Sequence, residues 1–405
     1  MANDWRESTW GEEISLEYGK ALRDYDTVSG KFRVFGSNGP IGWTSQPLAP
    51  GPGVILGRKG AYRGVEFSWT PFFVIDTAYY VVPKTELDMR WLYYAIKYHK
   101  LGEIDDGSPI PSTTRAAVYV RDLHVPSLAE QKAIAHILGA LDEKIELNRK
   151  MNATLEGMSR ALFQSWFVDF DPVRAKLDGR SPAGMDEVTA DLFPASFQDS
   201  ALGHIPQGWT AGCIGDIATN PKRGIQPSYI AANTPYIALE HMPRRCIALG
   251  DWDDSADVAS GKSIFHRGEI LFGKLRPYFH KVGVAPIDGV CSTDILVLAP
   301  RNPEWFGFLL GHVSSDAVVY FTDLASTGTK MPRTSWGDIS SFKVTLPPRP
   351  IAAAFTKAIE STIEHIIASV HQSRTLATVR DTLLPKLLSG ELRVTDADHI
   401  VSEVI

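Results

Sequence analysis

The chain has 405 residues, 44% of them hydrophobic and 22% charged, enough for two or three packed domains and too apolar for a disordered protein. Its net charge of −6 excludes a protein that coats nucleic acid non-specifically, so a nucleic-acid contact would have to come from local basic loops. No apolar run approaches the roughly 18 residues of a membrane-spanning helix, and Cys213, Cys246 and Cys291 are scattered without metal-ligand spacing.

The first segment, DWRESTWGEEIS, joins a tryptophan to a Gly-acidic-Ile cluster, and the polar start MANDWRESTWGEE is expected to be no secretory signal. Short apolar runs follow at VILG (54–57) and FFVID (72–76), which read as strands, and MRWLYYAIKYH (89–99) reads as a helix whose aromatics serve core packing. After VPSLAEQ, apolar residues recur at Ile134, Ile137, Leu138, Leu141, Ile145, Met151, Leu155, Met158 and Leu162. Steps of three and four mark an amphipathic helix. About forty such residues make a rod of ~60 Å, whose stripe is buried only against a partner. The stretch from about Phe170 to Gln207, rich in Pro, Gly, Asp and Ser, reads as a linker.

The second half repeats the first. A shift of 221 residues sets Gly107 on Gly328, Pro111 on Pro332, Val118 on Ile339 and Pro126 on Pro347. GVILGRKGAYRGV resembles GEILFGKLRPYFHKV at nearly the same shift, and GWTAGCIGDIAT answers DWRESTWGEEIS. A second periodic stripe runs through Phe355, Ile359, Ile363, Ile366, Val370, Leu376, Val379, Leu383 and Leu387, so its obvious partner is the first helix. The shift aligns Asn148 with Ser369 and Asn152 with Ser373, a polar belt that reads either as a register mark or as a solvated face. Apolar residues on more than one face of ILGALDEKI and LFQSWF predict that the chain aggregates without a protein partner.

One string invites a different reading. GEILFGKL (268–275) has the glycine and Gly-Lys spacing of a phosphate-binding loop, but Leu275 stands where a magnesium-coordinating hydroxyl is required, and Pro277 opposes the helix that should follow. What remains is a strand running into a loop with Lys274, Arg276, Tyr278, His280 and Lys281. Its counterpart in the first half holds Arg58, Lys59, Tyr62 and Arg63. No complete Walker motif and no Asn/Asp-Pro-Pro-aromatic grip for a flipped adenine is present. The carboxylates of LDEKIE (141–146) read as the solvated face of a helix, so no catalytic residue is expected.

Taken in order and in duplicate, VFGSNGPIGW, GRKGAYRGV, IDTAYYVVP, VPSLAEQKAIAHILGALDEKIELNRK, FDPVRAKLDG, LGHIPQGW, GEILFGKLRPYFHKV and STDILVLAP resemble the specificity (S) subunits of type I restriction–modification systems. The resemblance covers nearly the whole chain. It departs at LPPRPIAAAF, which lacks the Glu130-Gln131 pair that opens the first helix. It implies an α+β architecture: two mixed α/β target-recognition domains in tandem, separated and followed by long α-helices that pair as an antiparallel coiled coil. The implied divisions are 1–126 and 208–347 for the recognition domains, 127–168 and 348–393 for the helical regions, 169–207 for the linker and 394–405 for a tail. Each recognition domain would read one half of a bipartite, asymmetric site on double-stranded DNA. The helices would space the domains and dock two methyltransferase (M) subunits in a complex that methylates adenine N6. A restriction (R) subunit would add translocation and cleavage. S-adenosylmethionine, ATP and magnesium would then belong to the partners, with no cofactor or metal in this chain, no membrane association and a bacterial or archaeal cytoplasmic location.

The expected DNA-binding residues are therefore Arg58, Lys59, Tyr62 and Arg63 in the first basic loop and Lys274, Arg276, Tyr278 and Lys281 in the second. Secondary loops add Ser37, Asn38, Arg115, Lys222, Arg223, Lys330 and Arg333. Some would anchor phosphates and others would reach guanine O6/N7, while Gly57, Gly60 and Gly273 would let the DNA backbone come close. The helix-pair and M-subunit surface is expected at Ile134, Leu138, Leu141, Ile145, Leu155, Leu162, Phe355, Ile359, Ile366 and Leu383. Two other readings stay open: an enzyme with degenerate motifs, and a coiled-coil adaptor that binds only proteins.

Overall fold

The computed structural model describes residues 5–25, 29–105, 107, 109–255, 258–328 and 331–404. They fall into two compact units, Met1–Ile145 with Thr375–Ile405, and Glu146–Arg374. Each unit carries the same mixed domain. In the first, Arg6–Thr9 pairs antiparallel with Asp122–Val125, so the domain opens and closes on one strand pair. In the second, Thr210–Cys213 pairs with Lys343–Leu346 in the same way. A single helical turn follows each opening strand. Trp10–Glu13 starts on a capping box between Thr9 and Glu12, and Ile214–Ile217 starts beside Asp216, whose carboxylate accepts the Cys213 backbone N–H at 2.8 Å.

Behind the strand pair stands a four-stranded antiparallel sheet. Its order is Ile14–Tyr18, Ala78–Pro83, Gly53–Gly57, Val65–Ser68 in the first domain. The second repeats it as Ala218–Thr219, Ile295–Pro300, Ile270–Gly273, Val282–Val284. The string GEILFGKL thus lies in a sheet between two neighbours and does not form a phosphate cradle ahead of a helix. A second sheet in each domain contains a parallel pair, Phe32–Gly36 with Phe72–Val74, and Pro235–Ile237 with Gly289–Cys291. The aromatic helix Met89–Tyr98 buries Trp91, Leu92, Tyr94 and Ile96, and Phe306–Val313 does the same with Phe308, Leu309 and Leu310, which is the core role expected of them.

The two long helices are Leu128–Phe167 and Arg349–Leu388, each 40 residues without a break. Within the first unit, Ile134, Leu138, Leu141 and Ile145 share a core with Leu376, Leu383, Leu387 and the aromatic helix. Arg380 reaches Asp142 at 2.7 Å there, and the Tyr94 hydroxyl donates to the same carboxylate at 2.6 Å. Within the second unit, Phe355 meets Phe163, Trp166 and Phe167 with ring centroids 6.1, 5.5 and 4.9 Å apart. Further along the same unit, Asn148 Nδ2 donates to Gln372 Oε1 at 2.9 Å and Ser373 Oγ at 3.2 Å. An earlier residue of one helix meets a later residue of the other, so the pair is antiparallel.

Several expectations change at this level. The polar belt is buried rather than solvated, with Asn148 at 1% exposure, Asn152 at 6% and Ser369 at 7%. Its contacts cross over: Asn148 bonds Ser373, not the aligned Ser369, because an antiparallel pair joins each residue to the far member of the repeat. The linker is folded. Helix Asp171–Leu177 and hairpin Phe197–Ser200 with Gly203–Pro206 place Val173 and Ile205, with Phe193 between them, in the second unit's core. The last helix, Val394–Ser402, likewise buries Ala397 and Val401 in the first. One carboxylate of LDEKIE is not on the solvated face either, since Asp142 is partly enclosed and takes Tyr94 and Arg380, whereas Glu143 stays exposed while pairing with Arg90.

The missing Glu-Gln pair has a local substitute. In the first unit, Gln131 accepts the Asp88 backbone N–H at 2.9 Å and donates to the Pro126 carbonyl at 3.0 Å, while Glu130 accepts the Trp5 indole N–H at 3.0 Å. In the second, Ile351 and Ala352 fill those positions with fully buried apolar groups. The polar bridge moves one turn on, where the Thr356 hydroxyl donates to the Glu304 carbonyl at 2.7 Å and accepts the Gly307 N–H at 3.0 Å.

Candidate nucleic-acid interface

Each four-stranded sheet releases a basic loop from the end of a buried strand, and each loop is gripped by a second segment. In the first domain, the Gly60 N–H donates to the Pro111 carbonyl at 3.0 Å and the Thr113 N–H to the Arg58 carbonyl at 2.9 Å. In the second, the Arg276 N–H donates to the Pro332 carbonyl at 2.8 Å and the Thr334 N–H to the Lys274 carbonyl at 3.0 Å. Pro111 and Pro332 are aligned residues of the repeat, so Lys274 is the partner of Arg58, and Arg276 that of Gly60. Tyr62 then falls on Tyr278 and Arg63 on Phe279. Gly60 and Arg276 both have positive φ, 108° and 52°. Glycine adopts this conformation freely, whereas a side-chain residue there stores about 1–3 kcal/mol of strain.

The side chains divide into committed and free. Arg63 donates to the carbonyls of Gly102 (2.7 Å), Gly60 (2.6 Å) and Ile104 (3.1 Å) and to Thr113 Oγ1 (3.1 Å), so it is a strut under the loop. Arg58 donates to the Asp76 carbonyl at 2.9 Å and lies 4.9 Å over the Tyr18 ring. Arg115 donates to the Leu16 carbonyl at 2.6 Å, pairs with Glu17 at 3.6 Å and lies 4.2 Å over the same ring. Ser37 donates to the Thr77 carbonyl and accepts the Lys59 N–H, which stitches FGSNGPIG to the basic loop. Arg223 pairs with Glu269, and Arg333 pairs with Asp294 at 3.3 Å. Lys281 donates to the Leu239 carbonyl, and burial, then the Arg244 cation, pull its ammonium below the usual lysine range. The ammonium groups of Lys59, Lys222 and Lys274, the amide of Asn38 and the phenols of Tyr62 and Tyr278 have no hydrogen bond among the described residues. Lys222 lines a cleft of about 550 Å³ with Arg223 and Lys262. Lys330 lies outside the described residues.

Two of the three glycines have a different role from the one expected. A Cβ on Gly57 would lie 2.2 Å from the Ser37 carbonyl oxygen, and one on Gly273 would lie 2.9 Å from Leu239. Their space is taken by the protein itself. Gly60 alone faces open room, its nearest atom 3.9 Å away.

The family model described as "Type I restriction modification DNA specificity domain" matches residues 17–157, which contain the whole first loop. The type I restriction enzyme MjaIX specificity subunit of Methanocaldococcus jannaschii is 26% identical over 96% of this chain and 88% of its own length. The HindI specificity subunit of Haemophilus influenzae is 25% identical over 80% of each chain. The EcoDI specificity subunit of Escherichia coli is 24% identical over 96% of this chain and 89% of its own. The chain matches the type I specificity-subunit family. Specificity subunits of this family are non-catalytic. The crystal structure of the S subunit of a type I restriction–modification system from M. genitalium shares the fold, with a TM-score of 0.55 at 17% identity over 95% of this chain and 96% of that one.

The sequence missed one pair of cations. Arg244 and Arg245, in HMPRRC, reach the second basic loop from another segment: the Arg245 N–H donates to the His280 carbonyl at 2.8 Å, and the Arg244 guanidinium lies 4.0 Å over the Phe279 ring. The adjacent RR was a visible signal, but nothing in its spacing tied it to residues 35 positions away. Among the committed residues, Arg63→Ala should lower the first unit's stability by about 1 kcal/mol, because three carbonyls lose their donor at a site that water partly reaches. Denaturant midpoints measure it, and an unchanged midpoint with weaker DNA binding would make Arg63 a ligand contact instead of a strut.

Proposed function

We propose that the chain is the DNA-reading subunit of a type I restriction–modification complex, each mixed domain reading one half of a bipartite, asymmetric site. The observation that carries this reading is the loop found twice: the same strand end, the same proline-carbonyl clamp, a basic residue at the same place and an exposed tyrosine at the same place. The antiparallel helix pair is the spacer between the halves, and its buried Asn148 layer fixes register. Methyltransferase subunits dock on the helices away from the buried stripe. Leu147, Met151 and Met158 form an exposed apolar line on the first helix, at the spacing of one face, and suit that role. S-adenosylmethionine, ATP and magnesium act in the partner subunits, including the R subunits where these are present.

Sequencing the methylated adenines in cells that carry the chain with its M partner tests the reading. The expected result is one two-part sequence with a fixed non-specific spacer. In the purified complex, Lys59→Ala should weaken binding on all duplexes and reduce the salt slope by about one, as a phosphate contact does. A continuous motif, or none, overturns the bipartite assignment.

A further inference from the structure

Two guanidiniums without an ion pair among the described residues lie near the Phe279 ring. Arg244 lies 4.0 Å from its ring centroid and Arg276 lies 5.9 Å from it. Neither guanidinium has a hydrogen bond or an ion pair among the described residues, and Arg276 Nε is buried without a partner. Two of the acids nearby are already engaged, Asp316 with Arg245 at 2.7 Å and His280 at 3.4 Å, and Asp294 with Arg333, while Glu240 acts on the neighbouring Lys281 without an ion pair to either arginine. The uncompensated charge is felt by a neighbour, since Arg244 is one of the groups that lower Lys281. The backbone around the ring is also held under strain. Arg245, Arg276 and His280, none of them glycine, have φ of 55°, 52° and 52°. Such clusters of left-handed residues are kept where a side chain must be aimed.

The first domain supplies the contrast. Tyr18 there also carries two guanidiniums, Arg58 at 4.9 Å and Arg115 at 4.2 Å. Those two spend their donors on the Asp76 and Leu16 carbonyls and on Glu17. At the position of Phe279 the first domain has Arg63, a strut, and at that of Arg276 it has Gly60. In the second domain both guanidiniums keep every donor but the buried Nε of Arg276 on offer, whereas Arg58 is already tied to the Asp76 carbonyl and Arg115 to the Leu16 carbonyl and Glu17. An arginine laid on an aromatic ring is fixed in orientation, yet keeps the in-plane N–H groups at its edge, the geometry that matches two adjacent acceptors.

We infer that Arg244 and Arg276, positioned by Phe279, are base readers of the second domain that take the O6 and N7 acceptors of guanine in the major groove. The inference rests on the reading of the chain as a DNA-specificity subunit and commits these two residues to base edges, as distinct from phosphates. The test uses the complex of the full chain with its M partner, on duplexes of the site found by methylation sequencing. Arg244→Lys keeps the charge and loses the planar fork. It should weaken cognate binding roughly 5- to 150-fold, the range of one bidentate base contact, and leave binding to unrelated duplex and its salt slope unchanged. Arg276→Gly, which relieves the backbone, should do the same. Replacing half-site guanines one at a time by 7-deazaguanine should weaken the wild type at one or two positions and add nothing in the matching variant. Phe279→Leu should resemble a partial loss of both arginines, and restoring ring area with Phe279→Tyr should rescue it. A uniform loss on all duplexes with a flatter salt dependence would make the pair a phosphate clamp and overturn the inference, as would unchanged binding. A wild-type complex without any sequence preference would overturn the broader reading instead, which separates the two failures.

Discussion

Phe355→Ala is expected to destabilise the second unit by about 3–5 kcal/mol, the cost of a large aromatic removed from a closed core. Phe355 is buried against Phe163, Trp166 and Phe167, and the Gly307 backbone packs so close that a Cβ there would lie 2.9 Å from its ring. The surroundings belong to two helices and the mixed domain and cannot collapse together into the space. Met158→Ala, on the exposed line of the first helix, should stay within about 0.5 kcal/mol. Denaturant unfolding of the two variants side by side measures the difference. If Phe355→Ala left stability intact and instead abolished M-subunit binding, the buried stripe would be a docking face after all.

The second unit should also lose stability in mild acid. The His312 ring packs against Phe163, Phe308 and Phe342 with its Nε2 buried and without a partner, and burial pushes its imidazole down to about 3. Folded, it stays neutral; unfolded, it takes up a proton near its ordinary value of about 6.5. The folded state is therefore undiminished above that pH and weakens as pH falls below it, by about 1.4 kcal/mol per pH unit, or roughly 2 kcal/mol at pH 5. Carboxylates with ordinary values contribute little above pH 5. His280, also lowered by burial, adds a slope of the same sign. His312→Leu should thus remove most of the loss between pH 6.5 and 5, read from denaturant midpoints at each pH. A variant that keeps the full slope would assign the acid sensitivity elsewhere.

Much of the architecture was legible because it was written twice. The two long stripes marked both long helices to within a few residues, since periodicity and turn residues are local signals. The helix beginning at Arg349 was legible even without the Glu-Gln pair. What the stripes did not reveal was their depth. Ile134, Leu138, Leu141, Ile145, Phe355, Ile359, Ile366 and Leu383 are buried inside their own units, with Leu155 and Leu162 packed at the margin. The apolar excess that suggested aggregation is covered by the mixed domains, so its premise falls. The basic loops were legible as loops but not as chemistry. Arg63 and Arg276 look alike in sequence, and only long-range carbonyls decide that one is a strut and the other is free. Arg244 was visible as a cation but not as part of the loop, because the ring it rests on comes from a different segment.

Each mixed domain begins and finishes at the same spot. Arg6 lies opposite Val125 and Thr9 opposite Asp122, while Thr210 lies opposite Leu346 and Cys213 opposite Lys343. Antiparallel neighbours stand roughly 5 Å apart, so the two points where the chain enters and leaves a domain are separated by little more than one residue's length. Everything between them is a cassette hanging from a two-strand handle. A segment cut at that handle can be exchanged for a foreign one of different size without altering the distance its flanking chain must bridge. The insertions that already separate the two copies are of this kind, absorbed inside the loop of the handle and not at its ends. Such a handle lets one mixed domain be replaced at a time while the helices that hold both domains remain the same.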